Sequence, residues 1–143
     1  MSLGDVDFKR INYLAVVLAA ISAMVIGAIW YNPGVFGTQW MALAGFTAPP
    51  EGSMTQAYAL GFVNALVKAV VLAFIIDWIG GKTWLCGALT GLVCWIGFAA
   101  TVRVDGIIFG GRPGGLFWID GIYDLVSYVV MGAIIGAWLK KRA

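Results

Sequence analysis

The chain has 143 residues, of which 62% are hydrophobic and 11% charged, with a formal net charge of +2 and a mean hydropathy of +0.93. A soluble domain is about 45–50% apolar and about 25% charged, so this composition excludes an ordinary soluble core and requires an integral membrane protein. No Lys/Arg block interleaved with aromatics is present, which excludes a nucleic-acid partner, and the absence of histidine removes the commonest metal ligand and neutral-pH proton carrier.

Residues 1–10 form a short polar leader ending in Lys9 and Arg10. The first apolar run, about residues 11–31, is uncharged. It is long for a signal h-region and lacks a small-x-small cleavage site, so it reads as a retained span. Ala19, Ala23 and Gly27 make a small-residue stripe at four-residue spacing, which permits close helix approach. Asn32-Pro33-Gly34 stops the helix, because proline cannot continue it. Residues 35–53 are a linker, most irregular at 48–52. Its piece VFGTQWMALAGF is too short to span and suits the membrane interface, with Phe36, Trp40 and Phe46 at headgroup level.

The second span, about 56–79, carries Asn64 and Lys68 one helical turn apart and closes at Asp77 and Trp78. The third, about 83–102, contains Gly87-x-x-x-Gly91, a helix-packing motif common by chance in glycine-rich spans, and ends at Arg103 and Asp105. Cys86 and Cys94 lie about 12 Å apart along this helix, too far for a disulfide, and read as small buried residues. The loop GIIFGGRPGG resembles a phosphate cradle only superficially. It lacks the Gly-Lys-Ser/Thr ending of a P-loop and reads as a linker. The fourth span, about 116–139, carries Asp120 and Asp124 at i and i+4, then Gly132-x-x-x-Gly136, and meets the basic tail Lys140, Lys141 and Arg142. The expected fold is therefore all-α: a single transmembrane domain over residues 1–143, built as a four-helix bundle.

With both termini cytoplasmic, the inner side holds Lys9, Arg10, Lys82, Lys140, Lys141 and Arg142, and the outer side only Arg103 and Arg112. This is the positive-inside distribution. Trp30 and Trp118 then fall near the outer boundary, and Trp78, Trp84 and Trp138 near the inner one. Nothing in the two halves matches as an inverted repeat.

Three charges within spans need an explanation, since each costs about 2.5–3.5 kcal/mol at mid-bilayer on insertion scales. Lys68 lies about 18 Å from the outer end of its span and its side chain points back outward, while Asp124 lies about 12 Å deep. Depth thus pairs Lys68 with Asp124, and Arg103 with Asp120 one turn further out. Asn64, Tyr123 and Ser127 are placed to join them. Three readings remain open: a buried ion-pair network that docks the helices, a polar vestibule reached from the outer side, or a cofactor or lipid-headgroup site. Catalysis lacks support, because no Ser-His or Cys-His array occurs. A cation site on Asp120 and Asp124 lacks a third carboxylate and faces repulsion from Lys68. No cofactor and no metal are implied.

The stretches Ile11-Asn12-Tyr13-Leu14-Ala15-Val16, Gly27-Ala28-Ile29-Trp30-Tyr31-x-Pro33 and Phe36-Gly37-x-x-Trp40 resemble the start of a widespread bacterial family of small four-span membrane proteins catalogued as a domain of unknown function. Gly111-Arg112-Pro113, Gly121-x-Tyr123 and the run from Met131 to Trp138 resemble its end. The resemblance covers the chain from Ile11 and implies four spans and no activity.

Within the Trp-Tyr-x-Pro-x-x-Phe-Gly stretch, Tyr31, Phe36 and Trp40 either anchor a helix exit or cap the outer mouth of a cavity lined by Asp120 and Asp124. The expected protein is a channel- or transporter-like component of the bacterial inner membrane, acting on a small solute or ion. The alternative is a non-catalytic subunit whose ion pairs fix helix docking or recognise a partner. Small-residue stripes on several helices favour a homo-oligomer, a dimer first.

Overall fold

The computed structural model describes residues 8–45 and 54–139. The leader up to residue 7, the linker centre at 48–52, Phe46 and the basic tail at 140–142 lie outside them. Five helices carry the chain: α1 Tyr13–Trp30, α2 Gly37–Ala44, α3 Met54–Trp78, α4 Trp84–Ile108 and α5 Gly114–Ala137. All but α2 are long and apolar enough to cross a membrane, and the described residues contain no strand. The protein is an all-helical membrane bundle of four spans.

Local sequence sets the helix starts. The Asn12 side chain accepts from the Ala15 amide at 3.4 Å and the Thr83 hydroxyl from the Cys86 amide at 3.1 Å, each satisfying an otherwise orphaned N–H at the start of α1 and α4. One end of the bundle gathers the start of α1, the end of α3, the start of α4 and the end of α5. Here Asn12 donates to the Trp138 carbonyl at 3.0 Å. Arg10 Nη2 pairs with Asp77 Oδ2 at 3.0 Å, Asp77 being only 2% exposed. Call this the terminal end. At the opposite, loop end lie α2, the start of α3 and the α4–α5 connection.

Packing follows the small residues. Both glycine motifs form one antiparallel seam: a methyl on Gly87 would strike the Gly132 carbonyl, one on Gly91 the Tyr128 carbonyl, and one on Gly136 the Thr83 carbonyl. Backbones this close gain dispersion contacts in place of the missing hydrophobic drive between helices in lipid. α1 buries Ala15, Ala19, Ala20 and Ala23, and α3, packed on it, buries Ala65, Ala69 and Ala73. Gly27 faces the Tyr123 ring. The stripes seen in the sequence are thus spent within one chain. The large fully buried side chains, Ile11, Leu72, Ile76, Met131 and Ile135, all belong to the terminal half, which leaves the loop half for polar residues.

Two helices depart from regular α geometry. α4 opens into a π-helical turn over Trp95–Ala100 and α5 over Phe117–Gly121. Such a turn absorbs one extra residue and re-aims everything beyond it. In an unbroken helix Arg103 would sit roughly 120° around the axis from Gly91, but absorbing one residue leaves about 20°. Arg103 therefore returns to the face that packs on α5. The wide turns are tied together, since Trp95 Nε1 donates to the Gly121 carbonyl at 2.9 Å. α4 also runs to Ile108, past Val102 where the apolar pattern stops. Arg103 stays inside the helix because α5 supplies its counter-charges.

Candidate functional site

The loop half holds the polar cluster, and Arg103 is its centre. Its Nε lies 2.5 Å from Asp124 Oδ2 and its Nη1 lies 3.5 Å from Asp120 Oδ2. One guanidinium thus spans the two carboxylates that α5 presents one turn apart, a use of its planar fork that an ammonium cannot copy. The other oxygen of Asp120 accepts a hydrogen bond from the Tyr31 hydroxyl at 2.5 Å. Asp124 is 5% exposed and Ser127, one turn further along, is 4% exposed. The Ser127 hydroxyl has no hydrogen-bond partner among the described residues.

The pairing expected between Lys68 and Asp124 does not form; Arg103 holds Asp124 instead. The sequence pattern ends the third span at Val102 and so places Arg103 at its rim, within reach of Asp120 alone. The continued helix and its wide turn carry Arg103 deeper and onto the right face, and its fork takes both carboxylates. Lys68 Nζ instead lies 5.9 Å from the centre of the Tyr128 ring, a cation–π distance. The expected pairing of Arg103 with Asp120 is present.

The Trp-Tyr-x-Pro-x-x-Phe-Gly stretch is part of the cluster's frame. Trp30 Nε1 donates to the Ile119 carbonyl at 3.0 Å, within the wide turn of α5, and Tyr31 reaches Asp120. The Asn32 side chain accepts from the Gly34 amide at 2.9 Å, closing the turn. Gly37 is buried, and a methyl there would collide with the Tyr31 carbonyl; glycine lets α2 start against the end of α1. Phe36 packs on Trp30 with ring centres 4.8 Å apart, and Trp40 packs edge-on against Tyr31 at 5.7 Å. Tyr31 also meets Tyr123 edge-on at 5.3 Å, and Tyr123 donates to the Ala23 carbonyl at 3.0 Å. Of the three aromatics, Tyr31 therefore enters the cluster, while Phe36 and Trp40 buttress it from behind and line neither cavity described next.

Two cavities flank the cluster. The larger, about 570 Å³, lies between α4 and α5 and is lined by Arg103, Arg112, Asp120, Asp124, Lys68 and apolar side chains. The smaller, about 200 Å³, is lined by residues of α1, α3, α4 and α5, including Asn64, Tyr31, Tyr123 and Ser127. Lys68, Arg103, Asp124 and Tyr128 border both. Every polar residue expected at the site thus lines one cavity or the other.

Tyr128 was not anticipated; the outer motif of Arg112 is expected at the cavity entrance, and Arg112 lines the larger cavity. Arg112 sits in the glycine-rich connection, where its amide donates to the Gly106 carbonyl at 3.2 Å and its Cδ would lie 3.4 Å from a methyl on Gly106. The signal available was the basic residue itself, one of two on that side of the bundle. Tyr128 follows from four-residue spacing after Asp124, with no polar pattern to mark it. Among the described residues no three His, Cys, Asp or Glu side chains converge as a metal ion would require.

No curated protein and no solved structure matches the chain. A family model described as protein of unknown function (DUF1761) matches residues 14–136, and the chain belongs to that family.

Proposed function

We propose that the protein is a small channel- or transporter-like component of the bacterial inner membrane, with both termini cytoplasmic and the Arg103 cluster in the outer half of the bundle. One observation carries this reading: two cavities meet at a shared border of Lys68, Arg103, Asp124 and Tyr128. A charge inside a span is expensive unless it faces a partner or a water-filled space, and among the described residues Lys68 has an aromatic ring and two cavities rather than a carboxylate beside it. A bundle built only for docking has no use for that arrangement. The basic residues supply the orientation. The chain has no histidine to pair with a serine or cysteine, and the reading is non-catalytic. Assembly as a homodimer is part of the proposal on size alone, because the glycine stripes are occupied within the chain.

A rival reading has its own support. Arg103 bridges two carboxylates and Tyr31 closes the far side of Asp120, as in a network that only locks α1, α4 and α5 together. Flux separates the two. Proteoliposomes of the full chain, assayed for K⁺, Cl⁻ and acetate against protein-free vesicles, are expected to pass at least one of these, with the rate changed by Asp124→Asn. No flux from the parent protein, or flux indifferent to Asp124→Asn, favours the docking role.

A further inference from the structure

Resting on that reading of the site, we propose that the larger cavity binds an amphiphilic oxyanion, a phosphate or carboxylate head carried on an apolar body. Charge argues first. Three cations, Lys68, Arg103 and Arg112, and two carboxylates, Asp120 and Asp124, line this cavity. Arg103 is committed to both carboxylates. Neither Lys68 nor Arg112 has a carboxylate within 4.0 Å among the described residues. The cavity therefore keeps one uncompensated positive charge, and two ammonium and guanidinium donors remain for a bound anion.

Placement argues second. The stem of Arg112 lies across Gly106, where an added methyl would just touch it at 3.4 Å, and the backbone bond to the Gly106 carbonyl fixes its position over α4. Lys68 lines the same cavity beside Tyr128. Each cation offers charge-assisted hydrogen bonds to an oxyanion head in the cavity.

The walls argue third. A volume of about 570 Å³ far exceeds a bare phosphate, and Phe98, Val102, Ile107, Leu116 and Phe117 line it. Phe98 is 72% and Val102 66% exposed, so on that side the cavity opens toward lipid. An apolar body enters there without crossing a polar rim. The head belongs either to an anionic lipid or to a free amphiphilic acid.

The test uses the full chain in phosphatidylcholine nanodiscs, with phosphatidylglycerol doped in as one probe and octyl phosphate added as the other, retention being read by native mass spectrometry. Binding above the phosphatidylcholine background is expected. Lys68→Met and Arg112→Gln should each weaken it about tenfold, the loss of one charge-assisted bond, while Lys82→Gln, at the terminal end, leaves it unchanged. Unaltered melting temperatures confirm that the variants fold. Selective retention of phosphatidylglycerol assigns the lipid source, and retention of octyl phosphate that phosphatidylglycerol does not displace assigns the free acid. The proposal is overturned if neither probe exceeds the background or if binding survives both substitutions. It is equally overturned if inorganic phosphate binds as well as octyl phosphate. Binding without flux removes the transport reading and keeps the site; flux without binding does the reverse.

Discussion

Arg103 Nε lies 2.5 Å from Asp124 Oδ2, and this contact sets how α4 and α5 meet at the loop end. It couples α4 to α5 beyond the point where their glycine seam stops, and it depends on a wide turn in each helix.

Removing Arg103 should be the most damaging single change at the site. Arg103→Met leaves two carboxylates within the span without a counter-charge, for an expected loss of about 3–5 kcal/mol. Lys68→Met removes a charge that no carboxylate pairs with among the described residues and should cost less than about 1 kcal/mol or stabilise. Thermal or denaturant unfolding in micelles measures both. Adding Asp124→Asn to Arg103→Met should recover part of the loss, since coupled partners are non-additive. Equal losses from Arg103→Met and Lys68→Met would contradict the assignment of Arg103 as the central cation.

The seam between α4 and α5 gives a graded prediction. Gly87→Leu and Gly132→Leu each place a side chain into a facing carbonyl and should cost at least about 1–3 kcal/mol. Gly97 has open space around it, and Gly97→Leu should be neutral within about 0.5 kcal/mol. Unfolding midpoints of the three variants check the order, and a harmless Gly132→Leu would sink the seam.

Tyr31→Phe isolates the link from the first helix exit to the acidic face of α5. It removes one hydrogen bond to a carboxylate, expected at about 1.5–3 kcal/mol, and leaves the ring contacts with Trp40 and Tyr123 in place. A loss below about 0.5 kcal/mol would show that the hydroxyl does not hold Asp120.

At the terminal end, Asp77→Asn weakens a buried charge pair with Arg10 and should destabilise by about 3 kcal/mol with flux per folded molecule unchanged. The measurement is unfolding alongside vesicle flux normalised to folded protein. A change in normalised flux would place this end in the pathway as well.

The class and layout of the fold were legible because a bilayer imposes span length and hydropathy directly on sequence. Asp120, Asp124, Lys68 and Arg103 were legible as a group because charges within spans are rare and costly. Their pairing was less so. A helix drawn with regular 3.6-residue turns puts Arg103 on the wrong side of α4, and no residue type marks the wide turn at Trp95–Ala100. The run of the helix past Val102 to Ile108 was hidden for a related reason: hydropathy treats Arg103 as unpaired, whereas α5 neutralises it. The glycine motifs read as weak separately; only their mutual contact, Gly87 on Gly132 and Gly136, reveals a single seam. Trp30, Tyr31 and Gly37 read as an interfacial helix exit, because the carbonyl and carboxylate that Trp30 and Tyr31 bind lie 89 residues away in the chain.

The central claim is that water reaches the polar face between the helices. Asn64 and Val67 stand on the same stretch of α3, both exposed on the bundle, but Asn64 lines the smaller cavity and Val67 does not. With Cys86 and Cys94 replaced by alanine, Asn64→Cys and Val67→Cys are compared for reaction with a charged, water-borne methanethiosulfonate in sealed vesicles. Because the reagent needs a hydrated thiolate, the prediction is modification of Asn64→Cys at least about tenfold faster than Val67→Cys. Equal, slow reaction at both positions would contradict a hydrated site and leave the Arg103 network as a dry clasp between helices.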